Sequence, residues 1–151
     1  MSEHSIVHAT FTLKRSYPAP VSRVFRAWAD PQIKVRWFAG NPSDYELDFC
    51  PGGIERNRAV LDGKQITWEA LYQEIVHDER IAYTGVLSEN ETVATLSLTT
   101  VEFVAEGGGT ELILVEAGAF LDGLERPAWR EQGTADWLDA LGRHLADGQP
   151  S

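Results

Sequence analysis

The chain has 151 residues, 43% of them hydrophobic and 10% aromatic, which is enough to build the core of one domain and too apolar for disorder. Thirteen basic residues against 23 acidic ones give a net charge of −10, opposing the phosphate contacts that dominate nucleic-acid binding and any attraction to anionic membranes. A lone cysteine, Cys50, excludes an internal disulfide; with no basic-then-apolar leader in MSEHSIVHATFTL and no apolar run near the ~20 residues of a bilayer-crossing helix, a cytoplasmic setting is expected.

Residues 5–17 alternate, with Ile6, His8, Thr10 and Thr12 on one face and Val7, Ala9, Phe11 and Leu13 on the other, a strand pattern. Pro18 and Pro20 stop it, and Pro20 opens a helix in which Val21, Val24, Phe25 and Trp28 recur at three- and four-residue spacing. Asp30 then caps a second short helix with Pro31 in its first turn, ending near 38–40. From Tyr45 onward the pattern gives six strands, at 44–49, 53–60, 66–76, 80–87, 93–104 and 110–120. Pro51-Gly52-Gly53, Asp62-Gly63, His77-Asp78, Glu89-Asn90 and Gly107-Gly108-Gly109 separate them, so the meander is antiparallel. In the strand at 93–104, Leu96 and Leu98 share one face while Val101 and Phe103 take the other, and a bulge at Thr99-Thr100 is expected to reconcile them.

A helix at 126–147, opened by Pro127 and stopped by Gly148, closes the chain. Trp137, Leu138, Leu141 and Leu145 form a stripe that must be buried. One and two turns earlier the same stripe meets Thr134, Gly133 and Arg130, which are small or polar. The helix is therefore expected to seal a core with its C-terminal half and to leave room under its N-terminal half. The fold class is α+β: an antiparallel sheet of about seven strands, one face covered by the long helix, with two short helices after the first strand, as one domain over 1–151.

The run Ala19-Pro20-Val21-Ser22-Arg23-Val24-Phe25-Arg26-Ala27-Trp28, followed by Asp30-Pro31 and Trp37, resembles the opening of the bacterial relatives of the Hsp90 ATPase activator domain, in the START-like superfamily that includes polyketide cyclases. Pro51-Gly52-Gly53, Asp62-Gly63, the Tyr72-to-Tyr83 hairpin, Gly109-Thr110 and Gly133 before Leu138, Leu141 and Leu145 are similar to its later marks in the same order. The resemblance implies the helix-grip (START/Bet v 1-like) fold, a curved sheet around a long C-terminal helix and an internal cavity. Two positions depart from the family pattern: Thr134 stands where a Trp often follows the glycine, and Glu55 stands where an aromatic is common. Both changes are expected to enlarge or polarise the cavity. Chaperone binding is not expected to carry over, because the eukaryotic activator binds with an additional N-terminal domain that this chain is too short to contain.

Polar residues with inward parity are the chemical signal. Leu112 and Leu114 facing the core place Glu116, Gly118 and Phe120 on the same face. Glu55 takes an inward place after the Gly-Gly turn and Arg130 projects from the helix, so Glu116 or Glu55 is expected to pair with Arg130 across the cavity, the alternative being solvent exposure at its mouth. Trp37, Phe49, Trp68, Tyr72, Tyr83, Phe120 and Trp137 either line a ligand pocket with Glu55, Glu116, Arg130 and Thr134 or simply pack the core. Trp28 and Phe25 read as structural, and Cys50 as a small buried hydrophobe. His4, His8, His77 and His144 lack ligand spacing, so no metal is expected; nor is any cofactor, for Gly107-Gly108-Gly109 precedes a strand and no nucleotide fingerprint occurs.

Three functions follow: binding of a small hydrophobic or aromatic molecule, with a polar or anionic group held by Arg130; a cyclase or hydrolase using Glu116 or Glu55 as base and Arg130 to steady an enolate; or an interaction module, including a homodimer through an exposed sheet face. The acidic surface, with no contiguous apolar patch evident, argues against the last.

Overall fold

The computed structural model describes residues 4–39 and 44–147. The second helix ends at Phe38, within the expected 38–40, and the expected stop of the last helix at Gly148 lies outside those residues. Elements follow in the order β1 (Ile6–Tyr17), α1 (Val21–Ala29), α2 (Pro31–Phe38), β2 (Tyr45–Leu47), β3 (Ile54–Leu61), β4 (Lys64–Val76), β5 (Arg80–Glu89), β6 (Thr92–Glu106), β7 (Gly109–Leu121) and α3 (Pro127–Asp147). Seven antiparallel strands form one sheet in the order β1-β7-β6-β5-β4-β3-β2. Sheet and C-terminal helix together make the helix-grip arrangement. Only the strand at 44–49 is much shorter than its pattern suggests.

Local chemistry accounts for the junctions. The Asp30 carboxylate accepts the Gln32 backbone N–H at 2.9 Å, and Pro31 occupies the first turn, so one aspartate ends α1 and starts α2. Asp62 and Gly63 both adopt positive φ between Leu61 and its partner Lys64, the two-residue turn whose twist suits a hairpin.

Leu138, Leu141 and Leu145 are buried against Phe11, Leu112, Leu114, Val101 and Phe103, while Val24, Phe25 and Trp28 of α1 complete the same core. Beneath the first half of α3 the buried residues are Arg130 and Thr134.

The expected bulge at Thr99-Thr100 is absent. Strand β6 pairs with β7 without a break from Thr95↔Phe120 to Glu106↔Gly109. Its inward residues are Thr95, Ser97, Thr99, Val101 and Phe103, and Leu96 and Leu98 face outward, 45% and 49% exposed. Treating leucine as an inward residue misread the parity: three hydroxyls face in here, and those of Thr95 and Thr99 donate to carboxylates. The register shifts lie instead between Tyr72 and Glu74 and between Leu87 and Ser88. Pairing across Ile54↔Leu71, Leu71↔Thr84, Thr84↔Leu98 and Leu98↔Ala117 sets an apolar row on the outer face, so the expectation of no contiguous patch is revised. Cys50 is exposed rather than buried, in the turn between β2 and β3.

Leu141→Ala is expected to lower unfolding free energy by about 2–5 kcal/mol in urea titration, because Leu141 is fully buried. Thr134→Ala, which removes a hydroxyl bonded to the Arg130 carbonyl at 2.8 Å, is expected to cost only about 0.5–1.5 kcal/mol.

Candidate ligand cavity

A cavity of about 230 Å³ lies under the N-terminal half of α3. Its apolar wall is Phe38, Ile66, Trp68, Leu87, Trp129 and Trp137, and its polar groups are Asn57, Glu125, Arg130 and Thr134. Gly133 helps to create the space, since a Cβ placed there would meet nothing within 4 Å. Trp129, 59% exposed, stands at the rim with the Arg126 guanidinium 5.3 Å from its ring. Trp68 lies against Gly85 of the next strand, where a Cβ would sit 2.0 Å from the indole, so glycine is required for that wall to form. The Trp68 indole N–H is buried with no protein partner.

Arg130 is held by two carboxylates. Its Nη1 donates to Glu116 at 2.7 Å, and its Nε and Nη2 donate to Glu125 at 3.0 and 2.9 Å. Thr99 donates to the other oxygen of Glu116 at 3.1 Å and Thr95 to Glu125 at 2.6 Å, while the Trp68 ring lies 5.2 Å from the guanidinium. Strand β7 supplies Glu116, the turn before α3 supplies Glu125, and β6 supplies both threonines.

Glu55 is elsewhere. It is sealed, 1% exposed, against Lys34 of α2, whose ammonium reaches its two oxygens at 2.9 and 2.8 Å. The Tyr72 hydroxyl donates to Oε1 at 2.9 Å and the Tyr45 hydroxyl to Oε2 at 2.5 Å. Lys34 sits over the rings of Phe38 and Trp28 at 4.6 and 4.9 Å, so its charge is balanced by one carboxylate and by π faces.

Of the sequence candidates, Trp68, Arg130, Thr134 and Trp137 line the cavity. Glu116 is bound to Arg130 behind the wall. Trp37 packs on Trp28, Phe49 on Phe25 and Tyr72, and Phe120 is buried beside Gly118. Glu55 and Tyr72 belong to the lysine cluster, and the Tyr83 ring lies tilted against Tyr72 at 5.6 Å, between the two clusters. Lys34, Tyr45, Thr95, Thr99, Glu125 and Trp129 were missed. Lys34 had a signal, lying three and four residues before Trp37 and Phe38 on their helix face. The threonines had one too, hidden by the supposed bulge. Glu125 lies in an aperiodic turn and had none.

Burial raises the Glu116 pKa against the opposing pull of Arg130, which a second carboxylate shares. Burial likewise lowers that of Lys34, and Glu55 only partly restores it. Tyr72 and Tyr83 stay neutral phenols because burial and then adjacent carboxylates hold their pKa values well above the usual range.

Lys34→Met is expected to cost about 3–5 kcal/mol by leaving Glu55 buried and unpaired, whereas Lys34→Met with Glu55→Leu should recover most of that loss. Additive losses in this double-mutant cycle would refute the pairing. Glu116 has a second readout, in pH. Its native pKa is raised, so its contribution to stability is full below the unfolded value of about 4.3 and is lost as pH rises through the native one. Carbon-13 titration should place Glu116 above ordinary carboxylates, and Glu116→Gln should remove that part of the pH dependence of the urea midpoint.

The uncharacterised protein from Rhizobium leguminosarum is 43% identical, with a TM-score of 0.91 over 96% of this chain and 99% of its own. Mll3558 from Rhizobium loti is 38% identical, with a TM-score of 0.86 over 92% and 98%. CV1439 from Chromobacterium violaceum, 23% identical over 92% and 98%, shares the fold with a TM-score of 0.76. No functionally curated protein matches the chain. The family model described as Activator of Hsp90 ATPase homolog 1-like protein matches residues 18–146, and the chain belongs to that family.

Proposed function

We propose that this protein binds one small, largely apolar or aromatic molecule in the cavity beneath α3. The observation that carries the reading is the coincidence of an unfilled volume of about 230 Å³ with an aromatic wall and a few placed polar groups. At roughly 30 Å³ per water the space equals some seven or eight waters, which suits a compact, ring-sized molecule. The indole N–H of Trp68, a lining residue, would find a partner in a ligand acceptor, although the buried indole N–H of Trp28 in the packed core lacks a protein partner as well.

The catalytic alternative fits less well. Glu55 is closed off by Lys34 and two tyrosines, and Glu116 spends its oxygens on Arg130 and Thr99, so neither meets the cavity as a free base. An anionic ligand group held by Arg130 also loses support, because three of the five guanidinium N–H groups already serve carboxylates.

Native mass spectrometry of protein purified from cells without denaturation is expected to show a bound small molecule. Gly133→Leu should fill the cavity and abolish that adduct while raising unfolding free energy by about 0.5–1 kcal/mol, since leucine is the better helix former. Retention of the adduct in the variant would place it elsewhere and overturn the reading.

A further inference from the structure

We infer that the cavity selects a compact amine in its protonated form, with the ammonium against Glu125 and the carbon frame among Trp68, Trp129 and Trp137. The inference rests on the cavity reading above and adds the sign of the ligand's charge. Two carboxylates face one guanidinium, so the Glu116–Arg130–Glu125 cluster carries a formal charge of −1. No other ionised side chain among the described residues lines the cavity. Lys34 is matched one-to-one by Glu55 and sits behind Phe38, and Arg126 is exposed to solvent on the rim, where its charge is screened.

Hydrogen-bond capacity agrees with the charge count. Glu125 Oε1 already accepts from Thr95 and Arg130, whereas Oε2 accepts from Arg130 Nε alone and keeps one position for a donor. Aromatic faces complement an ammonium, and Trp137 is the lining indole without an arginine over it, since Trp68 and Trp129 already face Arg130 and Arg126. At longer range the net charge of −10 draws cations and repels anions. A carboxylate ligand would meet a cluster already in excess of its own sign, with the cluster's one guanidinium engaged. A neutral ring would fill the space but leave the surplus charge without a counterion.

The test uses three isosteres, 2-phenylethylamine, 2-phenylethanol and phenylacetate, titrated at pH 7 against the full chain and followed by tryptophan fluorescence and proton NMR. The amine is expected to bind at least about tenfold more tightly than the alcohol, the gain of one charge-assisted hydrogen bond, with phenylacetate weakest. Glu125→Gln should bring the ratio of amine to alcohol affinity down to about one. Glu116→Gln removes the same formal charge from outside the cavity wall and should reduce the preference if Glu125→Gln fails to fold. Equal binding of amine and alcohol, or tighter binding of phenylacetate, overturns the charge inference and leaves the cavity reading standing. Failure of all three probes, with responses matching those of Gly133→Leu, overturns both.

Discussion

Buried charge has to be paired, and in this molecule the pairing decides where the helix meets the sheet. Arg130 on α3 is tied to Glu116 on β7 and to Glu125 in the turn just before the helix. These bonds span the gap that leucines close further along, where Leu138, Leu141 and Leu145 pack directly on the sheet. The first half of α3 is thus held by a polar strut, and the volume beside the strut is the cavity. Lys34 does the same for α2, fixing it to β3 through Glu55. Such clusters are weak sources of net stability, since well-packed apolar replacements often do as well or better. Their presence under one end of the helix and not the other is better explained by the space they keep open than by stability.

The sheet is adapted to serve them. Strand β6 turns Thr95, Ser97 and Thr99 inward, and two of the three hydroxyls donate to carboxylates. The consequence appears on the other face, where Leu96 and Leu98 are left in solvent. One alternation, read with polar residues inside, explains both observations; a bulge explained neither.

What the sequence disclosed follows from this physics. Element order, the long helix and the change of character along its buried stripe were legible because periodicity reports which face is covered, whatever covers it. The placing of Glu116 was legible from the parity of Leu112 and Leu114 in the same strand. Pairing partners were not. Glu55 and Glu116 both read as inward carboxylates and Arg130 as the available cation, yet which one Arg130 meets depends on strands four positions apart in the sheet, information no local pattern carries. Lys34 shows the complementary failure: a lysine on an apolar helix face looks like a solvated end until a buried carboxylate is found opposite. The aromatic residues divided between core and cavity for a similar reason, because Trp37 and Trp137 share a chemistry and differ only in what α3 leaves above them.

The two charged clusters come close to each other at Tyr72 and Tyr83, whose rings meet at a tilt with centroids 5.6 Å apart. Burial and the negative charge of Glu116 and Glu55 hold the Tyr83 hydroxyl firmly protonated, and burial with Glu55 does the same for Tyr72. The lysine cluster is balanced within itself, one ammonium against one carboxylate. Arg130 with its two carboxylates, and Arg126 at the rim, are thus the ionised groups set beside the cavity among the described residues, apart from the self-balanced lysine cluster.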